Sequence, residues 1–147
     1  MPEYSTSIDI AAEPAAVFEF LVTNEGMTAW MGQHADLDAT VGGRFAVDIQ
    51  GFPVRGEYLE IDPPHRVVVS WGFAGSADLP PGRSRVSFTL TRIAEGTRVD
   101  LVHADLPDSH QPGHSRGWGH FLDRLAVAAI GQPAGEDDWM PGGPATE

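Results

Sequence analysis

From Gly42 to His103 the apolar residues of this chain recur at every second position, and from Trp118 to Ala129 they recur at intervals of three and four. The first period is that of extended strands with one apolar face, the second that of a helix with one apolar stripe. In GGRFAVDI, Phe45, Val47 and Ile49 share a face; in RVVVSWGF, Val67, Val69, Trp71 and Phe73 do. Val86, Phe88 and Leu90 repeat the pattern, as do Val99, Leu101 and His103. The segment VRGEYLEI, ending at Ile61, reads as a further strand with weaker alternation, because Tyr58 and Leu59 fall on opposite faces. Between these segments lie IQGFPV, DPPH, AGSADLPPG and AEGT, rich in the residues that build tight links. No helix-length segment separates the strands, so the sheet is expected to be antiparallel. The closing stripe of Trp118, Phe121, Leu122, Leu125, Ala126 and Ala129 should end at Gly131, and Pro133 prevents its resumption.

Ahead of the sheet, Tyr4, Thr6, Ile8 and Ile10 alternate with polar neighbours as a half-buried strand. In AAEPAAVFEFLV, Pro14 suits a first helical turn, and Val17, Phe18, Leu21 and Val22 follow at helical spacing. Asn24 to Gly26 break that pattern before a second short helical stretch, Met27 to Met31, which presents Trp30. The order predicts an α+β fold: a curved antiparallel sheet wrapped around a long C-terminal helix, with two short N-terminal helices. A twisted sheet cannot touch a straight helix everywhere, so an internal cavity between them is expected. With 147 residues the chain can bury one ordinary core. Residues 1–131 are expected to form a single domain, and 132–147 a Pro, Gly and acid-rich tail with mobile final residues, in which Trp139 offers an anchor.

Charge narrows the partners. Twenty-one acidic residues stand against nine arginines and no lysine, a net charge of -12. Such a surface repels phosphate backbones and anionic headgroups, so neither nucleic acid nor membrane is an expected partner. Without cysteine there are no disulfides, thiolate ligands or thiol nucleophile. The opening MPEYSTSIDI lacks the features of a secretory signal, and the longest apolar run, LAVAAI, is too short to span a bilayer. A cytoplasmic location follows as the expectation.

The stretch GHSRG, Gly113 to Gly117, matches the Gly-x-Ser-x-Gly pattern of serine hydrolases. That turn needs a strand before it, whereas LPDSHQP reads as a loop, and Asp123 and His120 follow Ser115 in the wrong order. Ser115 therefore reads as a first-turn helix residue. His110 and His114 are four apart, but Pro112 and Gly113 intervene and weigh against a shared face, and His34, His65 and His120 read as exposed. No metal site is expected. Arg55 and Glu57 read as a surface ion pair. His103 shares the inward face of Val99 and Leu101, which directs its imidazole into the cavity or into the core, and His114, one turn before Trp118, is placed at the mouth.

The runs GGRF, GEYLEIDPPHRVVVSW, GTRVDLVH and GWGHFLDRLA, in that order, resemble the helix-grip superfamily called SRPBCC or START-like. Within it the chain is most similar to bacterial homologues of the activator of the heat-shock-protein-90 ATPase. The resemblance implies a seven-strand sheet gripping the last helix around an apolar pocket, used across the superfamily for lipids, polyketides, hormones or aromatic compounds. Two features of the chaperone activator, an additional domain and a basic surface, are not evident in this acidic chain. The leading expectation is binding of a small hydrophobic or aromatic ligand by Trp30, Phe45, Val69, Trp71, Phe88, Leu101, His103, His114, Trp118, Phe121 and Leu122, with no cofactor and no assigned catalytic residue. One alternative is a cyclase- or hydrolase-type enzyme using a pocket histidine. Another is an interaction domain acting on a chaperone or on an identical subunit, as a homodimer.

Overall fold

A computed structural model describes residues 3–136. The chain runs β1 (Glu3–Ile10), α1 (Pro14–Val22), α2 (Asn24–Thr28), β2 (His34–Leu37), β3 (Arg44–Ile49), β4 (Phe52–Asp62), β5 (Arg66–Phe73), β6 (Ser84–Ile93), β7 (Gly96–Ala104) and α3 (Gln111–Ala129), with a 3-10 turn at Asp108–His110. The strands form one seven-stranded sheet in the order β1-β7-β6-β5-β4-β3-β2. Every neighbouring pair is antiparallel. This is the helix-grip α+β arrangement, a curved sheet closed by the long last helix.

Alternation explains which side of the sheet faces α3. Val86, Phe88 and Leu90 of β6 and Val99, Leu101 and His103 of β7 are all buried, and with the buried residues of β3, β5, α1 and α3 they make one core. Phe88 and Leu101 are register partners, so their side chains meet on that face. Each large side chain buried here stabilises the fold by roughly 1.5 to 3 kcal/mol.

Three local departures from the sequence pattern have physical causes. In β4 the register shifts between Tyr58 and Glu60, so a bulge at Leu59 puts Tyr58 and Ile61, three residues apart, opposite the buried Val69 and Val67 on the same core-facing side. The second helix starts at Asn24 and ends at Thr28, earlier than the apolar pattern predicts. The Thr23 side chain accepts a hydrogen bond from the Gly26 N–H at 2.9 Å, so a polar cap rather than an apolar residue fixes its start. Strand β2, HADL, alternates over only four residues, with Ala35 buried and Leu37 partly buried against the core, too short a run to stand out in the sequence. Arg55 pairs with Asp48 on β3 at 2.9 Å, not with Glu57.

Helix α3 ends as its composition dictates. Gly131 adopts φ 89°, and the Gly131 and Gln132 amides donate to the Ala128 and Val127 carbonyls, closing the last turn. The chain then turns back along the helix, where Arg124 donates to the carbonyls of Trp30, Ala134 and Gly135. The expectations for Trp139 and the final residues fall outside the described residues.

Candidate functional site: an aromatic cavity under the last helix

Helix α3 packs closest to β1 and α1. Its first three turns therefore stand off the opposite part of the sheet, and a cavity of about 380 Å³ lies between them. The tight turn at Gln50 and Gly51, both with positive φ, brings Ile49 and Phe52 to one side. Trp71 and Phe73 at the end of β5 form the floor, and Gly113, His114, Gly117, Trp118 and Phe121 of α3 form the roof. Ser76, from the β5–β6 loop, and Ser109 and His110, from the 3-10 turn, complete the wall. That loop is folded back closely: a Cβ on Gly72 would lie 1.9 Å from the Pro80 carbonyl oxygen, and Leu79 is wholly buried. Phe52 is 38% exposed, so an apolar edge remains open to solvent.

Beneath the roof two indoles and two imidazoles interlock. Trp71 Nε1–H donates to His114 Nε2 at 3.2 Å, and Trp118 Nε1–H donates to His103 Nδ1 at 3.1 Å. An indole nitrogen is only a donor, so each accepting imidazole nitrogen carries no proton. The other proton positions follow. His114 donates from Nδ1 to the His110 carbonyl at 3.0 Å. His103 donates from Nε2 to Ser84 Oγ at 2.8 Å, and Ser84 passes its own hydrogen to the Trp71 carbonyl at 2.8 Å. Both histidines are thereby neutral and in opposite tautomers, with every ring nitrogen engaged.

Burial enforces that neutrality. Desolvation, and then repulsion from His114, pushes His103 down to about 2. Desolvation is also the main cause that pushes His114 down to about 4; its bond to the His110 carbonyl opposes this, and repulsion from His110 adds to it. Ring packing holds the four groups in place. Trp71 lies 5.1 Å from Trp118, and His103 lies 5.2 Å from His114, centroid to centroid.

Of the residues expected at a site, Trp71, His114, Trp118 and Phe121 are on the cavity wall. Phe45, Val69, Phe88, Leu101 and Leu122 lie in the core instead. Trp30 is fully buried and its Nε1–H donates to the Phe20 carbonyl at 2.8 Å, so it anchors α1 rather than facing the cavity. His103 is placed behind the wall as a satisfied core histidine, since Trp71 and Trp118 cover it and consume or face its polar atoms. His110 and His114 do come together, with ring centroids 5.8 Å apart, because the helix begins at Gln111 and the 3-10 turn runs directly into it. The wall residues Phe52, Phe73, Ser109, His110 and Gly113 were not expected there. Phe73 carried a signal, being on the same strand face as Trp71, whereas the 3-10 turn has no apolar period to mark it.

The GHSRG stretch lies inside α3, not on a strand-to-helix turn. Ser115 Oγ donates to the Pro112 carbonyl at 3.0 Å, an ordinary first-turn bond. His120 is half-buried beside Phe121, with ring centroids 5.1 Å apart, rather than pointing freely to solvent. Among the described residues no group of three metal-ligating side chains converges, and no helix is long and apolar enough to cross a membrane.

The model of the family described as Activator of Hsp90 ATPase homolog 1-like protein matches residues 11–129. An AHSA1-like protein from Rhizobium etli is 37% identical, with a TM-score of 0.74 over 95% of this chain and 88% of that one. DynU16, from the dynemicin biosynthetic locus, is 25% identical with a TM-score of 0.79, covering 94% of this chain and 51% of its own. CalU16 from Micromonospora echinospora is 26% identical with a TM-score of 0.70, covering 89% of this chain and 74% of that one. No curated protein sequence matches.

Proposed function

The chain belongs to the family of Activator of Hsp90 ATPase homolog 1-like proteins, and from that premise we propose that it binds a small hydrophobic or aromatic molecule in the cavity between α3 and the sheet. The observation that carries this reading is the cavity itself: about 380 Å³, walled by Phe52, Trp71, Phe73, Trp118 and Phe121, with its hydroxyls confined to Ser76 and Ser109. A pocket of this size, mostly apolar and with few polar groups, is what a small-molecule site requires. His114 presents a ring face rather than a free nitrogen, because both its nitrogens are engaged. That supports binding over acid–base chemistry by this residue. The cavity needs no cofactor to act in this way. The reading takes the protein as cytoplasmic, and its net charge of -12 argues against a nucleic-acid partner.

Tryptophan fluorescence and thermal unfolding against a panel of flavonoids, polyketide-like aromatics and fatty acids test the proposal. A binder at about 100 times its Kd should stabilise the fold by about 2.7 kcal/mol and raise the melting temperature. No saturable quenching and no thermal shift across the panel would contradict it.

A further inference from the structure

The cavity's polar groups are unevenly placed, and their charge points to one class of ligand. Inside, the indole and imidazole nitrogens of Trp71, His114, Trp118 and His103 bond to one another or to Ser84 and a backbone carbonyl, so none is left to receive a ligand. A polar substituent pushed into that interior would lose its water without gaining a partner. At the rim the situation reverses. Ser109 and His110 lie on the wall, and so does Ser76, whose hydroxyl oxygen accepts from the Leu79 amide at 3.0 Å and keeps its own hydrogen to donate. The nearby charge is acidic. Asp78 Oδ2 stands 4.0 Å from His110 Nε2 and is 72% exposed, and Asp108 sits in the same 3-10 turn as Ser109 and His110. No arginine lines the cavity. Arg116 of α3 is exposed and off the wall, and Arg83 donates to the Asp105 carbonyl instead.

Resting on the binding reading above, we propose that the site takes a flat aromatic molecule bearing a hydroxyl or amine head, bound ring-first, and rejects carboxylates and phosphates. The ring lies against Gly113, where a Cβ would meet nothing within 4 Å, between the edges of Trp71, Phe73 and Trp118. The head stays at the rim. There a hydroxyl or amine hydrogen-bonds the serine hydroxyls, while an anion meets the field of Asp78 and Asp108 with no arginine on the wall to offset it. The positive end of the α3 dipole favours anions at this end of the helix. However, Asp108 one turn earlier and the 3-10 carbonyl that accepts from the Gln111 amide already answer it.

Three probes sharing one ring system separate the possibilities: 2-naphthol, 2-naphthylmethylamine and 2-naphthoate, titrated against the full chain at pH 7.5 by tryptophan quenching. The naphthol and the amine should bind at least about tenfold more tightly than the carboxylate, a difference of about 1.4 kcal/mol. Asp78→Asn, an exposed substitution, should narrow that gap and leave the naphthol affinity unchanged. Equal or tighter binding of 2-naphthoate, with the other two also bound, overturns the ligand class and leaves the cavity reading standing. Failure of all three to bind overturns both.

Discussion

The Trp71 indole donates to the His114 imidazole across 43 residues of sequence, at 3.2 Å, and so ties the end of β5 to the first turns of α3. This bond fixes the roof of the cavity to its floor. Trp71→Phe and His114→Phe should each destabilise the fold by about 1 to 3 kcal/mol, since each strands a buried polar partner. The double variant should cost less than the sum of the two, and urea unfolding of the four proteins measures the coupling.

Acid should loosen the same contact. An unfolded histidine titrates near 6.5, whereas His114 is held down to about 4 and His103 to about 2. Below about pH 6.5 the unfolded chain binds protons that the folded one refuses. Stability is therefore intact above that pH and falls as pH drops, by about 1.4 kcal/mol per unit for each of the two histidines. The contribution of His114 should level off near pH 4, while that of His103 continues lower. Unfolding free energies at pH 7, 6 and 5 should show this slope, and His114→Gln should remove about half of it.

Ser115 separates a helix start from a nucleophile. Its hydroxyl bonds only to the Pro112 carbonyl among the contacts described, so Ser115→Ala should change stability by less than about 0.5 kcal/mol and leave ligand binding unaltered. Loss of an esterase activity in that variant would restore the hydrolase reading.

Gly113 offers a way to fill the cavity without disturbing the core. A side chain there enters open space from a helical backbone, so Gly113→Ala should stabilise the fold by about 0.4 to 1 kcal/mol. Gly113→Leu should fold as well and occupy the volume a ligand would need. Thermal melts with and without 2-naphthol check both variants, and the Leu variant should lose the ligand-induced shift.

The fold was legible where one face of an element meets one core. Period-two runs located β1, β3, β5, β6 and β7, and Gly131 marked the end of α3, because burial and φ are properties of single residues. Strand β2 escaped because only four residues carry its alternation, and α2 was misplaced because its start depends on the Thr23 hydroxyl. The site was legible only in part, for a different reason. Periodicity shows that His103 and Trp118 point inward, but not that they bond to each other 15 residues apart and so offer a ligand no free nitrogen of their own. Which inward residues face a void and which face neighbours depends on where α3 lifts from the sheet. That distance is set by packing on β1 and α1, at the other end of the core.

The central claim is that a small aromatic molecule enters beneath α3 against Trp71 and Trp118. Titrating 2-naphthol into 15N-labelled protein and following the indole Nε1–H resonances tests it residue by residue, because Trp30 is buried away from the cavity as an internal control. The Trp71 and Trp118 signals should move together and saturate while that of Trp30 stays fixed. A saturable shift confined to Trp30, or no shift in any of the three, would contradict the account.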